Sequence, residues 1–262
     1  MKPVIIIPAR WGSSRFAGKP LTAMLKGPDG VEKPLIERTY EAAKVLSEIA
    51  DIYVATDDDR IKDACEAFGA KVLMTSVDCR NGTERVYEAA QQLDPRPEVV
   101  VNWQGDAPLT PADFITALIE AMDDSSVQVV TPALRCDLES FDRFKQQRSV
   151  GLVGGTTMVL SNQGNALYFS KEVIPFTSKA YAETDEIPVF HHVGVYAYRF
   201  SALETYCDFE PGLLEDLEGL EQLRFLENEI SIKAVVVDAK GRGIWEVNNP
   251  EDIDIVSNAL GA

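Results

Sequence analysis

Residues 4–21, VIIIPARWGSSRFAGKPL, decide the fold class. They begin with Val4-Ile5-Ile6-Ile7, a continuous apolar run that has no polar residue to turn towards solvent. Such a run is typical of a strand buried on both faces, as in a parallel sheet covered by helices. The basic, glycine-containing stretch that follows predicts a loop at the carboxyl end of that strand, which is where ligands bind in open α/β sheets.

The alternation of apolar runs with helix-period stretches continues outward from this segment. Further strands are predicted at 51–56, 71–74, 98–102, 127–132, 156–160, 194–198 and 231–237, and helices at 34–49, 58–68, 82–95, 111–122, 214–228 and 250–259. This order predicts an α/β fold with a doubly wound, mostly parallel sheet and right-handed crossovers. We interpret 1–262 as one domain, and a change of rhythm predicts a smaller inserted lobe at about 135–200.

Composition and charge exclude several classes of protein. The 262 residues carry 25 Lys and Arg against 42 Asp and Glu, a formal net charge of −17, which disfavours a broad nucleic-acid interface. No apolar run reaches the roughly 18 residues that span a bilayer, and the N-terminus lacks signal-peptide features. Four cysteines without CxxC spacing indicate reduced thiols and a cytoplasmic location. We therefore expect no nucleic-acid partner and no membrane partner.

The loop after the first strand indicates an anionic ligand. Residues 1–50 hold eight Lys and Arg against five Asp and Glu, although the whole chain is acidic. Arg10, Arg15 and Lys19 lie within ten residues that contain no acid. Backbone N–H groups near glycines, together with Arg and Lys side chains, are the groups that cradle phosphates. The spacing matches neither a Walker A loop nor G-x-G-x-x-G, and the alternative is an ordinary basic surface loop.

One carboxylate follows the predicted strand 98–102. Asp106 lies where a buried strand ends, and a carboxylate there is placed to hold Mg²⁺ between two phosphates. The alternative is an Asp that only caps the helix beginning near Pro111, although Thr110 is better placed for that role.

Seven motifs together resemble the CMP-Kdo synthetases, also called 3-deoxy-manno-octulosonate cytidylyltransferases. In chain order they are PARWGSSRFAGKPL (8–21), NGTER (81–85), NWQGDAPL (102–109), ALYFS (166–170), HHVGVYAYR (191–199), LEQLRFLE (220–227) and NNPEDI (248–253). The first and third are shared with other nucleotidyltransferases, whereas the fourth to sixth are more specific to this family. The resemblance covers nearly the whole chain and implies a nucleotide-diphospho-sugar transferase fold that forms a homodimer through its smaller lobe.

The resemblance also implies the residues of the site. Catalytic roles fall to Arg10, Arg15, Lys19 and Asp106, the first three as a clamp on the triphosphate. The implied nucleotide-binding residues are Pro8, Ala9, Arg10, Ser13, Arg15, Lys19, Thr75, Gly82, Thr83, Arg85 and Gln104. The implied sugar-binding residues are Gln104, Lys171, His192, Tyr196, Glu221 and Gln222, with His191 a weaker candidate. The implied cofactor is Mg²⁺, with Asp106 and Asn248 at the positions of the family's ligands. Glu246 is a further ligand that we infer from its spacing, and the alternative is an edge acid in solvent.

Three positions depart from the family pattern. Asn248 replaces an Asp of the implied metal site, and we expect Glu246, two residues earlier on an assumed strand, to supply part of the missing charge. Lys171 replaces an Arg after ALYFS, which loses a planar fork for a carboxylate. Thr157 occupies the position of a Lys in relatives. These changes leave open which 3-deoxy-ulosonic acid is the substrate.

The implied reaction transfers a cytidylyl group from CTP to the anomeric hydroxyl of a 3-deoxy-ulosonic acid, Kdo or a close variant, and releases pyrophosphate. Catalysis by positioning and charge neutralisation suits such chemistry. Two alternatives stay open: a nucleotidyltransferase for another sugar acid or base, and a non-catalytic protein that binds a nucleotide sugar.

Overall fold

A computed structural model describes residues 2–12 and 16–261 of the chain. The strands are β1 (Val4–Ala9), β2 (Met24–Lys26), β3 (Glu32–Pro34), β4 (Asp51–Thr56), β5 (Lys71–Met74), β6 (Val99–Trp103), β7 (Val129–Arg135), β8 (Thr157–Leu160), β9 (Ala166–Ser170), β10 (Phe190–His192), β11 (Val195–Arg199) and β12 (Ile232–Val237). The helices are α1 (Lys19–Thr22), α2 (Leu35–Lys44), α3 (Asp59–Ala67), α4 (Gly82–Gln91), α5 (Ala112–Ala121), α6 (Leu138–Ser149), α7 (Phe200–Asp208), α8 (Leu213–Glu218), α9 (Leu223–Glu227) and α10 (Asp252–Leu260).

One large mixed sheet organises the described residues. Its strand order is β5-β4-β1-β6-β11-β7-β10-β8-β9, and β12 pairs with β7. Pairing along β5-β4-β1-β6 is parallel, and β11 enters antiparallel between β6 and β7. Most strands still point one way, since only β9, β10 and β11 run against the others. The predicted α/β class with a mostly parallel sheet is confirmed.

The apolar run of β1 explains why helices cover both faces of this sheet. All six residues of β1 are buried. Ile5 and Ile7 belong to an apolar cluster with residues of α2, α3 and α5. Val4 and Ile6, which point to the opposite face, belong to a second cluster with residues of α4, α7 and α9. The strand therefore lies at the centre of a three-layer arrangement, as its sequence predicted.

The segment from about 135 to 200 extends the central sheet through β8, β9 and β10. It also carries a small apolar cluster of its own, which joins α6 to the stretch before β10 through Phe141, Phe144, Ile187 and Val189. Its treatment as a smaller lobe that mediates dimerisation stays a prediction. No helix among the described residues combines the length and the apolarity that a bilayer crossing requires.

The helix predicted over 214–228 is wrong as one element. The chain forms α8 and α9 with a break between them, because Gly219 adopts φ 60°, a left-handed conformation that glycine tolerates and that ends helices. Glu221 and Gln222 therefore lie in a turn and not on a helix face. Helices α6 and α7, the β2–β3 hairpin, and strands β9 and β10 had no counterpart among the predicted elements.

Candidate active site

The carboxyl ends of β1 and β6 meet closely at one edge of the sheet. A Cβ atom on Gly105 would lie 2.5 Å from the carbonyl oxygen of Pro8, so only glycine permits this approach. The hydroxyl of Thr39, on α2, donates to the Gly105 carbonyl at 3.0 Å and anchors the loop that follows β6. Gln104 and Asp106 are thereby brought beside the loop that leaves β1, as parallel strand ends predict.

Lys19 and Asp106 form the central ion pair of this edge. The Lys19 Nζ lies 2.6 Å from Asp106 Oδ2 and donates to the carbonyl oxygen of Val247 at 2.8 Å. The backbone N–H of Val247 donates in turn to the Asp106 carbonyl at 2.9 Å. Val247 is fully buried in an apolar cluster with Leu25 and Leu35. These contacts join the first loop, the Asp106 loop and the segment before α10.

Ser13 and Arg15, two residues of the implied nucleotide site, lie outside the described residues. The neighbouring Lys19 begins α1 directly after Gly18, which adopts φ 66°. A Cβ on Gly18 would approach the Trp11 ring to 2.8 Å, so glycine is required on both grounds. The short helix therefore fixes the position of the Lys19 backbone relative to Asp106.

A second loop approaches the site at the N-terminus of α4. The backbone N–H of Gly82 donates to Glu221 Oε2 at 3.1 Å, and the Thr83 hydroxyl donates to Glu221 Oε1 at 3.0 Å. Burial raises the pKa of Glu221, while these hydrogen bonds oppose the rise. Two residues assigned to the nucleotide and one assigned to the sugar are therefore joined by direct hydrogen bonds.

Arg85 and Thr75 are held in a buried contact inside the protein. The Arg85 guanidinium lies 3.0 Å from Asp57 Oδ2 and donates to the Thr75 hydroxyl at 2.5 Å. Because Asp57 neutralises the charge of Arg85 in a buried contact, little of that charge is available to a phosphate. Thr75 and Thr83 line neither of the two cavities that open at this edge of the sheet, and their assignment to the nucleotide stays a prediction.

Two adjoining cavities open at this edge of the sheet. The smaller, of about 280 Å³, is lined by the predicted residues Pro8, Ala9, Arg10, Lys19, Gly82, Arg85, Gln104, Asp106 and Glu221. The larger cleft, of about 1210 Å³, is lined by Gln104, Asp106, Lys171, His192, Tyr196, Glu221, Gln222, Glu246 and Asn248. Gln104, Asp106 and Glu221 line both, so the two predicted half-sites meet at these side chains.

His192 and Gln222 bring unpartnered polar atoms into the wall of the larger cleft. The His192 ring packs edge-on to Phe169 at 4.9 Å between centroids and lies 5.4 Å from the Tyr196 ring. Its Nε2 and the Nε2 of Gln222 are buried without a hydrogen-bond partner among the described residues. Burial, with a smaller contribution from His191, lowers the pKa of His192 to about 3, so its ring is neutral at physiological pH.

Tyr196 follows His192 after an irregular step in the strand. Val193 and Gly194 separate β10 from β11, and both strands pair with β7. Thr131 of β7 donates its hydroxyl to the Val195 carbonyl at 2.9 Å, which stabilises this interruption. Burial raises the pKa of Tyr196 well above its ordinary value, so its phenol stays protonated.

The two altered basic positions have different environments. Lys171 lines the larger cleft, and its Nζ lies 2.8 Å from where a Cβ on Gly219 would be. The Thr157 hydroxyl donates to the Glu172 carbonyl at 2.6 Å and accepts from the backbone N–H of Ile174 at 3.0 Å. Thr157 is therefore an internal structural residue that makes no contribution to the cleft wall.

The implied metal ligands all line the larger cleft, but the assumption of a strand at Glu246 is wrong. Residues 242–248 form no strand. Asp252 holds this segment by accepting from the backbone N–H groups of Asn248 and Asn249 at 2.9 and 2.7 Å. No group of three or more His, Cys, Asp and Glu side chains in the described part of the chain could hold a metal. Asp106, Glu246 and Asn248 offer two carboxylates and one amide.

Sequence reasoning missed several side chains of the larger cleft, among them Arg80, Arg143 and Gln147. Arg80 lies immediately before the NGTER motif, and this position could have marked it as a site residue. Its guanidinium pairs with Glu84 at 2.7 Å. Arg143 and Gln147 line the cleft from α6, a helix that was not predicted.

Comparisons with known proteins identify relatives of this chain. The model of a family described as cytidylyltransferase matches residues 4–232. A 3-deoxy-manno-octulosonate cytidylyltransferase of Maricaulis maris is 42% identical, over 100% of this chain and 98% of that protein. An 8-amino-3,8-dideoxy-manno-octulosonate cytidylyltransferase of Shewanella piezotolerans is also 42% identical, over 99% of each. The solved structure of a CMP:2-keto-3-deoxy-manno-octonic acid synthetase complexed with CTP has a TM-score of 0.82 and 31% identity, over 99% of this chain and 98% of that one.

Proposed function

The chain belongs to the cytidylyltransferase family, and we propose that it transfers a cytidylyl group from CTP to the anomeric hydroxyl of a Kdo-type sugar acid. Pyrophosphate is the second product. The observation that carries this proposal is the meeting of two cavities at Gln104, Asp106 and Glu221. A reaction between a nucleotide and a sugar requires two adjoining sites whose reacting atoms meet at shared residues.

The smaller cavity suits the triphosphate. Arg10 and Lys19 line it, and both carry the positive charge that a triphosphate and a departing pyrophosphate require. Lys19 is held by Asp106 and by a carbonyl oxygen, so its ammonium is positioned before the substrate binds. Arg15 completes the clamp in this proposal.

The larger cleft suits a polyhydroxylated acid. His192 and Gln222 present nitrogens that have no partner among the described residues, and Tyr196 presents a protonated phenol. These groups donate and accept hydrogen bonds without carrying charge, which is how proteins orient sugar hydroxyls. Because relatives that act on Kdo and on its 8-amino variant are equally similar, both sugars are candidate substrates.

Family membership implies a divalent metal, and we propose Mg²⁺ held by Asp106 with Glu246 and Asn248. All three side chains present oxygen atoms to the same cleft, and oxygen is the donor that Mg²⁺ requires. Few protein ligands suffice, since Mg²⁺ keeps waters and binds substrate phosphates. When bound it would neutralise charge on the phosphates. The chain's own part is to orient those phosphates through Lys19 and Arg10.

The experiment is pyrophosphate release measured with each of the four NTPs against Kdo, its 8-amino variant and N-acetylneuraminate. We expect release with CTP and at least one of the first two sugars. Pyrophosphate release only with another base or sugar would support the alternative hypothesis, a nucleotidyltransferase for a different substrate pair. If no pair of NTP and sugar releases pyrophosphate and the protein nevertheless binds a nucleotide sugar, the result would support a non-catalytic binding protein instead.

Asp106→Asn tests the site within this assay. We expect kcat to fall by about 10²–10³, the order of losing one preorganised charge at a transition state. Asp63→Asn, which changes an exposed carboxylate on α3, is the matched control and should leave kcat unchanged. Near-normal kcat in the Asp106 variant would contradict the assigned role.

Asn248→Asp tests the metal assignment. Restoring a carboxylate should lower the Mg²⁺ concentration that gives half-maximal rate, because a charged ligand binds a divalent cation more tightly. Glu246→Gln should raise it. Asn258→Asp adds the same charge at an exposed position of α10 outside the cleft and should leave the Mg²⁺ dependence unchanged. An unchanged Mg²⁺ dependence in both main variants would overturn the assignment.

We also propose a cytoplasmic homodimer. The four cysteines are free thiols, which supports a reducing compartment. Val150, Leu152, Val153 and Phe176, all in the 135–200 segment, are exposed apolar side chains, and Phe176 is 90% exposed. Leu152 and Val153 also line the larger cleft, so Val150 and Phe176 carry the proposal, and an interface requires them to belong to a contiguous apolar patch. Sedimentation equilibrium of the wild type and Phe176→Asp tests this, and a wild-type monomer would contradict it.

A further inference from the structure

Helix α6 contributes one arginine to the wall of the larger cleft. Arg143 lines the cleft together with His191. Its guanidinium carbon lies 5.4 Å from the centroid of the Phe144 ring and 5.6 Å from that of Trp245. Aromatic rings at this distance attract a guanidinium and restrict its position. The group is therefore held at the cleft wall by rings and not by an acid.

Arg143 forms no ion pair within the described part of the chain, and the carboxylate of Asp137 acts on its charge only at longer range. No described carboxylate forms an ion pair with it, and its Nε is buried without a hydrogen-bond acceptor. Two other arginines of the same cleft differ in this respect, because both Arg80 and Arg224 pair with Glu84. A buried N–H without an acceptor is unfavourable, and an anionic ligand in the cleft would supply that acceptor.

One turn further along α6, Gln147 presents the complementary group. Its Oε1 is buried without a donor among the described residues, and it too lines the cleft. A Cβ on Gly154 would come within 1.8 Å of this oxygen, so glycine lets the 154–155 backbone pass over it. Residues four apart share a helix face, so Arg143 and Gln147 point into the same region. The pair offers a cationic donor and a neutral acceptor side by side.

We propose that Arg143 binds the carboxylate of the sugar-acid substrate and that Gln147 accepts a hydrogen bond from one of its hydroxyls. The inference rests on the proposed function and names a specificity determinant for it. A guanidinium binds a carboxylate through two parallel hydrogen bonds, whereas the ammonium of Lys171 acts as a point charge. Thr157 takes no part, since its hydroxyl is engaged internally. Arg143 thus supplies the planar fork at the acid end of the cleft.

The test measures binding, so it does not depend on turnover. The probes are a Kdo analogue without the anomeric hydroxyl, which cannot react, and the C1 carboxamide of that analogue. Calorimetric titration in the presence of Mg²⁺ and CTP gives the preference of the protein for carboxylate over carboxamide. We expect the wild type to prefer the carboxylate by about 10- to 100-fold, the range of a charge-assisted hydrogen bond.

In Arg143→Gln the preference should fall to within about threefold, and in Arg143→Lys it should be intermediate. Arg148→Gln, on the same helix but paired with Glu172 and outside the cleft, should retain the wild-type preference. The Kd of CTP should stay the same in all variants. If Arg143→Gln does not fold, as judged by circular dichroism, the comparison rests on Arg143→Lys.

An unchanged preference in the Arg143 variants would overturn the proposal, and so would a wild type that binds both probes equally. Absence of pyrophosphate release from the wild type would instead overturn the proposed function. Because the first measurement concerns binding and the second concerns turnover, the two failures are distinguishable. Gln147→Leu should weaken both probes by a similar factor and leave their ratio unchanged, since the amide contacts a hydroxyl.

Discussion

Acidification should destabilise this protein through His192, because its imidazole is buried among aromatic rings. The residue is 7% exposed and packs against Phe169 and Tyr196. Burial lowers its pKa to about 3, whereas a histidine in an unfolded chain titrates near 6.5. Between these values the unfolded chain binds the proton and the folded one does not. The stability that neutral His192 contributes is therefore complete above pH 6.5 and is lost as the pH falls towards 3.

The size of the effect follows from the same two pKa values. One pH unit of differential protonation corresponds to about 1.4 kcal/mol of unfolding free energy. A pH of 5.0 is about 1.5 units below the pKa of the histidine in the unfolded chain, whereas the histidine of the folded protein is still neutral. Through His192, the free energy of unfolding of the wild type should therefore fall by about 2 kcal/mol when the pH is lowered from 7.5 to 5.0.

Denaturant unfolding at both pH values, on the wild type and on His192→Asn, isolates this contribution. The carboxylates titrate in both proteins and cancel in the difference. We expect the destabilisation caused by His192→Asn to be about 2 kcal/mol smaller at pH 5.0 than at pH 7.5. Phe169→Leu, which disturbs the same packing without removing a titrating group, should cost the same at both values. A His192→Asn penalty that does not change with pH would refute the reasoning.

Three other perturbations test the framework around the site. Gly105→Ala places a Cβ 2.5 Å from the Pro8 carbonyl oxygen, so it should destabilise the protein by about 1–3 kcal/mol and lower kcat; an unchanged unfolding midpoint would contradict the close approach. Arg224→Met removes the buried partner of Glu215, 2.6 Å away, and should cost about 3–5 kcal/mol by denaturant titration; a loss under 1 kcal/mol would show that this carboxylate finds another partner. Burial raises the pKa of Cys65 to about 12, so this thiol should react with a disulfide reagent only after unfolding; rapid labelling of the native protein at pH 8 would oppose that expectation.

The strand at residues 4–9 is an element that the local sequence pattern predicts correctly. An uninterrupted apolar run can be stable only where both faces of the strand are covered, so Val4-Ile5-Ile6-Ile7 alone predicted the central strand of an α/β sheet. The rule that parallel strands end at one edge then brought Lys19 and Asp106 together, and they form an ion pair. The strand prediction succeeded because it depends only on neighbours in sequence, and the meeting of Lys19 with Asp106 follows from one topological rule.

The helix at 138–149 is an element that the local sequence pattern does not predict. Its sequence, LESFDRFKQQRS, has few apolar residues, and it is held by Phe141 and Phe144 packing against Ile187 and Val189 about forty residues later. The predicted helix over 214–228 failed for the opposite reason, since a single left-handed glycine outweighed a regular leucine pattern.

By itself the sequence determined the fold class, the position of the basic loop after the first strand, and the residue types that meet at the sheet edge. Only the tertiary structure decided which charges are available to a ligand. Arg85 is neutralised by Asp57, 28 residues away in sequence, whereas Arg143 forms no ion pair within the described part of the chain and lies beside the ring of Trp245, about a hundred residues later. The physical reason is that the energy of a charge depends on the partners and the solvent within a few ångströms of it, and these partners come from distant parts of the chain.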